Sequence, residues 1–307
     1  VAPVFAAQPG RRCLERAVPC SQSPLLHFSL FLGIYLAALL GNGLIITAVA
    51  CDHRLHTPMY FFLLNLSLLD FGTISSTVPK NMANSLWDTQ TISYSGCAAQ
   101  VFLFCFSVGA EYYLLTVMAY DRYVAICKPL HYGTIMDNRA CAKMAAAAWG
   151  SGNVVDQFFY SYLREVGLLA VTACLVSGCF VFIVLSYVQI FTAVLRIPSE
   201  QGRHKAFSMC LPHLAVVSLF ISTSFFAHLK PPSISSLALD LVVAVLYAVV
   251  PPAVNPLIYS MRNKELKDAL RKLIQLVLVQ QKEAAHPSSQ LASNFSQRTP
   301  MLWAFSL

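Results

Sequence analysis

Long stretches without a charged side chain recur along this sequence, and they constrain its fold more than any other feature. Leu25–Ala50 contains no Asp, Glu, Lys or Arg, and a helix of about 20 apolar residues is long enough to cross a bilayer. Charged residues make up 11% of the chain, against about 25% in a typical soluble domain. The pattern predicts an all-α membrane protein. Five further segments reach the spanning length with at most one acidic residue each: Met59–Pro79, Ala98–Tyr120, Val166–Leu195, Ala206–Leu229 and Ser235–Met261.

A seventh segment, Cys141–Gly152, is apolar but short. Its apolar part is about 12 residues, or roughly 18 Å as a helix, while the hydrocarbon core of a bilayer is roughly 30 Å thick. To cross, this helix must also use Asn153, Asp156 and Gln157. Such side chains are tolerated in a membrane when they face protein or lie near its surface. We therefore predict a seven-helix bundle in which span four and the loop after it are truncated.

The distribution of basic residues predicts the orientation. If all seven segments cross, 15 of the 21 Lys and Arg residues fall on one side of the membrane and 6 on the other. The positive-inside rule makes the richer side cytoplasmic. The chain would then be a multi-pass protein with its N-terminus outside the cell and its C-terminus inside.

Four regions follow from this topology. Residues 1–24 form an extracellular segment without expected structure, and residues 25–261 form the membrane domain. In residues 262–279, Leu266, Ala269 and Leu273 recur at helical spacing opposite a basic face, which predicts an amphipathic helix on the inner membrane surface. The alternative is an ordinary exposed helix. Residues 280–307 are polar, and we expect no fixed structure there.

Two acidic residues lie in the middle of predicted spans. Asp70 lies in span two and Glu111 in span three. Two neighbouring acids away from water need a cation or a shared proton, so the pair is a candidate sodium site. The alternative is that one acid is protonated and both only brace the helices.

Five ordered segments resemble the signature of odorant receptors, which are rhodopsin-like G-protein-coupled receptors. The resemblance covers roughly Leu25 to Leu273. The matching segments are Gly41-Asn42, Leu55–Tyr60 (LHTPMY), Met118–Tyr132 (MAYDRYVAICKPLHY), Lys205–Cys210 (KAFSMC) and Pro252–Asn263 (PAVNPLIYSMRN with its first proline at 252).

The resemblance implies a role for each residue of the cytoplasmic motifs. Arg122 would hold the resting state through Asp121 and reach a stimulatory heterotrimeric G protein, which raises cAMP, in the active state. Tyr187 would join Tyr259 on activation, and His213 would lie in the moving span six. The alternative for each polar residue is simple packing between helices. The predicted coupling and activation residues are Asp121, Arg122, Tyr123, Tyr187, His213, Asn255, Pro256 and Tyr259.

The resemblance also implies where an odorant binds. The pocket would lie in the outer half of the bundle, between spans three, five, six and seven. Its residues are mostly apolar, which suits a small, volatile, hydrophobic ligand held by shape. Packing is the alternative for any single one of them. The predicted lining residues are Phe104, Cys105, Val108, Gly109, Val171, Leu175, Ile221, Ser224, Phe225 and Tyr247.

The chain departs from the family at the loop between spans four and five. In the family this loop carries a cysteine that bridges to the outer end of span three, where Cys97 stands here. Residues Ser151–Glu165 contain no cysteine, so we expect Cys97 to lack its usual partner. A disulfide commonly contributes about 2–4 kcal/mol. We therefore expect poor folding and retention inside the cell, although the family belongs in the plasma membrane.

Other functional classes fit less well. A transporter would show polar faces on several spans or an inverted repeat, and an intramembrane enzyme would show a motif such as HExxH or GxSxG; we find neither in the sequence. We expect no enzyme activity, no cofactor beyond a possible sodium ion, and no nucleic-acid partner. The expected partners are an odorant, a G protein and the lipid bilayer. The alternative function is a receptor-derived chain that is inactive because of its missing loop.

Overall fold

Apolar segments become long helices in the computed structural model, which describes residues 24–87, 94–159, 165–229, 249–260 and 264–285. Towards the outer ends of the helices, the description is limited largely to the backbone. Short 3₁₀ turns at His53–Leu55 and Pro129–His131 join some of the helices. The helices are α1 Pro24–Cys51, α2 Pro58–Trp87, α3 Tyr94–Cys127, α4 Tyr132–Ile135, α5 Asn138–Phe159, α6 Glu165–Leu195, α7 Glu200–Leu229, α8 249–260 and α9 Lys264–Ala285.

The seven predicted spans correspond to these helices. Spans one to three are α1, α2 and α3, spans four to six are α5, α6 and α7, and α8 is the inner end of span seven. Among the described residues, α1, α2, α6 and α7 meet the length and hydropathy expected of a membrane-crossing helix. Large apolar side chains such as Leu40, Val188 and Leu257 are exposed on the outside of the bundle, as lipid-facing residues are. The prediction of an all-α membrane protein is confirmed.

Helix α3 lies at the centre of the bundle. It contacts α2, α5, α6 and α7, and Leu114, Leu115, Ala119 and Val124 are fully buried along its inner half. Because α3 packs against four other helices, its inner end lies among several neighbours. This position makes α3 the scaffold of the site described below.

Helix α5 shows how the short fourth span is built. It continues to Phe159, so its 22 residues reach about 33 Å at 1.5 Å per residue. As the sequence predicts, the outer turns use Asn153, Asp156 and Gln157. Only residues 160–164 connect α5 to α6, so the loop is truncated.

Helix α9 differs from the prediction at its end. It runs to Ala285, so residues 280–285 are helical and not part of an unstructured tail. Gln, Lys, Glu and Ala make up this segment, and all are good helix formers. Leu266 and Ala269 are buried, and the Tyr60 hydroxyl of α2 donates to Glu265 Oε2 over 2.9 Å. These contacts attach the first turns of α9 to the bundle.

Candidate functional site

A buried acid–arginine pair lies at the inner end of α3. One terminal nitrogen of Arg122 donates to Asp121 Oδ2 over 2.7 Å, and the side chains are only 9% and 1% exposed. The Tyr132 hydroxyl donates to the other carboxylate oxygen, Asp121 Oδ1, also over 2.7 Å. Asp121 is therefore bound on both oxygens, and Arg122 is held against its own helix.

The sequence analysis assigned no role to Tyr132, although it is the last residue of the matching segment Met118–Tyr132. Pro129 lacks an N–H and cannot continue α3, so the chain turns through Pro129–His131 and α4 begins at Tyr132. This turn returns Tyr132 to Asp121. Burial, followed by the charge of Asp121, raises the pKa of Tyr132 above its usual range, so the hydroxyl keeps its proton and can donate.

Tyr123, the third residue of the motif, lies apart from this network. Its ring is 6.4 Å from that of Tyr120, and the Lys128 ammonium lies 5.8 Å from its centre. The side chain is half-buried at the edge of the bundle. Its contacts stabilise the end of α3 and do not include Arg122.

A buried histidine links three helices one layer further into the membrane. His213 Nε2 of α7 lies 3.0 Å from the Leu115 carbonyl oxygen of α3. Since a carbonyl only accepts, Nε2 carries the proton, and in a neutral ring Nδ1 accepts the Tyr187 hydroxyl of α6 over 2.6 Å. The two rings are stacked, with centres 5.9 Å apart. The bonds hold α7 against α3 and α6.

The Gly41-Asn42 motif fits the kink-forming region of α8. Pro256 has no N–H, so the carbonyl four residues earlier, at Pro252, loses its normal helical donor. Asn42 Nδ2 donates to this Pro252 oxygen over 2.8 Å. A Cβ atom on Gly41 would lie 3.0 Å from Pro256 Cβ, so the close approach of α1 and α8 requires glycine.

Asn255 joins the two intramembrane acids. Its Nδ2 lies 3.0 Å from Asp70 Oδ2 and 3.4 Å from Glu111 Oε1. Both carboxylates therefore surround one atom, and their separation is well inside the roughly 10 Å that would exclude a shared cation. Asp70 Oδ1 and Asn255 Oδ1 are buried and have no hydrogen-bond partner among the described residues. Such oxygens are ligands that a hard cation prefers.

Tyr259, the last residue of the predicted hinge, has a buried hydroxyl without a hydrogen-bond partner in the described part of the chain. Its predicted active-state partner, Tyr187, is bonded to His213. Pro256 and Asn255 are buried beside α1 and α2. The predicted partnership of the two tyrosines in an active state stays a prediction.

The predicted ligand pocket is described only in part. Val108 and Ile221 are partly buried against the core, and Gly109 lies beside Val108 on α3. The side chains of the other predicted lining residues, and that of Cys97, are not among those that the structure describes. Tyr247 lies between the described segments. The undescribed side chains of the pocket are those of Phe104, Cys105, Val171, Leu175, Ser224 and Phe225.

A second acid–arginine pair lies in the turn between α1 and α2. Arg54 makes two side-chain hydrogen bonds to Asp52, at 3.0 and 2.5 Å, while its own side chain is 57% exposed. The bonds from Arg54 hold the pKa of Asp52 well below its usual range. The sequence analysis also did not single out Leu130, which lies in the turn after α3 and is 94% exposed.

Comparison with known proteins extends this picture. A family model described as 7 transmembrane receptor (rhodopsin family) matches residues 41–163, and one described as Olfactory receptor matches residues 163–277. Olfactory receptor 14A16 of Homo sapiens is 47% identical over 281 residues, which cover 81% of this chain and 91% of that protein. Olfactory receptor 14J1 of Homo sapiens is likewise 47% identical, with 81% and 88% covered. Olfactory receptor 1G1 of Gorilla gorilla gorilla is 43% identical, with 80% and 89% covered.

The lengths of these matches bear on the truncation. A match of 281 residues is longer than 81% of a 307-residue chain. The relative therefore has residues inside the matched region that have no counterpart here, in agreement with the short connection between α5 and α6. The matches, the membrane helices and the cytoplasmic motifs agree, and we conclude that the chain belongs to the olfactory receptors, a family of seven-transmembrane receptors of the rhodopsin type.

Proposed function

We propose that the chain is built as an odorant receptor that binds a small hydrophobic volatile ligand and activates a stimulatory heterotrimeric G protein. The observation that carries the proposal is the cytoplasmic end of the bundle. Arg122 is bound to Asp121, and His213 holds α7 to α3 and α6. This is a closed arrangement that an outward movement of α7 would open, and a ligand that binds the open state better would shift the population towards it.

The cytoplasmic surface fits a G-protein partner. Leu130 is almost fully exposed in the turn after α3, and an exposed large apolar side chain beside polar ones is typical of a protein contact. Arg196, His204 and Lys205 are exposed near the ends of α6 and α7. A partner would complement this face if it had an apolar pocket that receives Leu130 and acidic groups that bind the basic residues.

The described part of the ligand pocket supports a hydrophobic ligand. Val108, Gly109 and Ile221 provide apolar surface and no side-chain hydrogen-bond donor. A ligand at these residues would be held by shape and by burial of its own apolar area. Volatility is inferred from the family and not from these residues.

A sodium ion fits the polar core between α2, α3 and α8. With one proton shared between the two acids, the pair carries a single negative charge, which one sodium ion neutralises. Asp70, Glu111 and Asn255 supply oxygen ligands, of which Asp70 Oδ1 and Asn255 Oδ1 have no partner among the described residues. A bound cation would favour the closed arrangement because it holds α8 to α2 and α3.

The alternative is a receptor-derived chain that folds poorly and stays inside the cell. The observation that favours it is the five-residue connection 160–164 between α5 and α6, together with the lack of a cysteine in Ser151–Glu165. Both features affect the outer side, where the family places its disulfide. The plasma membrane, with the N-terminus outside, is the proposed location of the folded receptor.

The test compares the chain with a loop-restored variant, in which Ser151–Glu165 is replaced by the corresponding segment of Olfactory receptor 14A16 of Homo sapiens. Both carry an N-terminal epitope tag, and cells expressing a cAMP reporter are exposed to a panel of small volatile hydrophobic compounds. We expect the loop-restored variant to reach the surface and raise cAMP. The original chain should show less surface label.

Three outcomes would exclude or contradict parts of these proposals. Normal surface label and a ligand response from the original chain would exclude the inactive alternative. A loop-restored variant that reaches the surface in the correct orientation, yet raises no cAMP with the compound panel or with elevated receptor levels, would contradict the proposed coupling. In a version of the receptor that also carries a C-terminal tag, labelling of that tag without permeabilisation would contradict the proposed orientation.

A further inference from the structure

We propose that Tyr112 is a positioning residue that couples the floor of the proposed ligand pocket to helix α7. The inference rests on the proposed function and adds a residue that none of the motifs contains. Tyr112 belongs to α3, and it touches both of the other helices that surround the pocket on this side. Its hydroxyl donates to the Val176 carbonyl oxygen of α6 over 3.0 Å, and its ring stacks on Phe220 of α7.

The position of Tyr112 places it between ligand and α7. Val108 and Gly109 precede it by one turn of α3, a rise of roughly 5 Å, and Ile221 follows Phe220 directly on α7. A ligand that presses on Val108, Gly109 or Ile221 therefore acts on the layer immediately above the Tyr112–Phe220 contact.

The hydrogen bond of the Tyr112 hydroxyl fixes the orientation of its ring relative to Phe220 of α7. The ring centres of Tyr112 and Phe220 are 5.6 Å apart with planes 19° from parallel, an offset stack within the favourable range for aromatic pairs. The bond to Val176 is made to the backbone, and a helix carbonyl has a second lone pair available for it. Since Tyr112 is buried, loss of this bond would leave the ring free to turn without exposing it to water.

Helix α7 is thus held at two levels. The lower level is His213, bonded to Leu115 and Tyr187; the upper level is Phe220, stacked on Tyr112. Phe220 follows His213 by seven positions, which is about two turns, or roughly 10 Å, along the same face of α7. Release of the upper level weakens the closed arrangement without touching the lower one.

Tyr112→Phe removes the hydroxyl and keeps the ring. A hydrogen bond of this kind shifts an equilibrium by about 2- to 10-fold, so the variant should raise basal cAMP and lower the EC50 of the loop-restored receptor by about that factor. Tyr113→Phe is the matched control, because the structure gives the neighbouring Tyr113 hydroxyl no hydrogen bond within the described residues. It should leave both quantities unchanged.

A second measurement needs neither ligand nor G protein. Cys210 lies one turn before His213 on α7 and is buried, and Cys141 is equally buried on α5. Membranes containing the original chain or the loop-restored variant are treated with a maleimide, and the alkylation rate of each cysteine is followed by peptide mass spectrometry. Tyr112→Phe should speed the alkylation of Cys210 several-fold and leave that of Cys141 unchanged.

The outcomes separate this inference from the proposed function. Faster labelling of Cys210 alone, without any cAMP response, supports the role of Tyr112 and contradicts the coupling. Equal rates for Tyr112→Phe and Tyr113→Phe would overturn the inference, as would parallel increases at Cys210 and Cys141, which indicate general loosening. In a double-mutant cycle with Phe220→Leu, additive effects on the Cys210 rate would also overturn it, because residues that act through one contact are non-additive.

Discussion

Among the described residues, two acid–arginine pairs with a nitrogen–oxygen distance below 3 Å lie in two different environments. At the inner end of α3, Arg122 and Asp121 are 2.7 Å apart and buried. In the loop between α1 and α2, Arg54 and Asp52 are 2.5 Å apart and partly exposed to water. The shorter distance belongs to the more exposed pair, so distance alone does not rank the two.

Burial explains why the pairs differ in consequence. Water and salt screen the loop pair, and exposed pairs of this kind contribute little to stability. Removal of one partner from a buried pair leaves an uncompensated charge, at a cost of about 3–5 kcal/mol. The inner pair can therefore store the difference between a closed and an open receptor, whereas the loop pair orders only its own turn.

The largest expected effect is that of Arg122→Ala in the loop-restored variant. The G-protein response should be lost while ligand affinity is kept, because Arg122 lies at the cytoplasmic end of α3 and the proposed pocket in the outer half. Surface-normalised cAMP and ligand displacement measure the two. Arg54→Ala is the matched control and should change the response by less than about twofold. An unchanged response with Arg122→Ala would remove the proposed role of the inner pair.

A smaller effect is expected at Asp121, which binds Arg122, and at Tyr132, which binds Asp121. Asp121→Asn frees the arginine from its counter-charge and should raise basal cAMP by about tenfold or more, since hydrogen bonds to charged groups contribute about 1.5–3 kcal/mol. Tyr132→Phe removes one of the two bonds to Asp121 and should raise basal cAMP less. If Tyr132→Phe exceeded Asp121→Asn at equal surface expression, the carboxylate would not be the centre of this network.

Asp70 and Glu111 are buried acids without an arginine among their described contacts. They extend the comparison because the proposed sodium ion would take the place of the arginine. When sodium is exchanged for a bulky organic cation, we expect the melting temperature of the purified loop-restored variant to fall. The fall should be about 2–4 °C for each kcal/mol of stabilisation that sodium binding contributed. Asp70→Asn and Glu111→Gln should abolish this difference. Equal melting temperatures of the parent in the two salts would contradict a bound sodium ion.

The smallest effect is expected at the loop pair. Arg54 lowers the pKa of Asp52, so any stabilisation by the pair is present above the unfolded pKa of an aspartate, about 4, and is lost only as pH falls through the lower folded value. Basal cAMP should therefore show the same pH dependence, between about pH 6 and 8, in Asp52→Asn and the parent. A difference within that range would show that the loop pair also affects signalling.

Several long-range contacts could not be read from the residues that make them. Tyr132 stands 11 positions from Asp121, Asn42 stands 210 positions from Pro252, and Asn255 stands 185 positions from Asp70. Each pairing depends on how helices are rotated and how far they slide past each other. A hydropathy profile contains neither quantity, since it records only which residues avoid water.

The sequence by itself determined the membrane helices and the family, because apolar length and ordered motifs are local properties of the chain. The bias of positive charge predicts the orientation of the helices, which stays a prediction. The sequence also predicted that α5 uses Asn153, Asp156 and Gln157 to cross, since the apolar stretch that begins at Cys141 ends at Gly152. Only the tertiary structure decided that Tyr132 binds Asp121, that Asn255 joins two acids and that Tyr112 reaches both α6 and α7. The physical reason is that a hydrogen bond between helices requires a donor and an acceptor within about 3 Å of each other, and the packing of the whole bundle sets that distance.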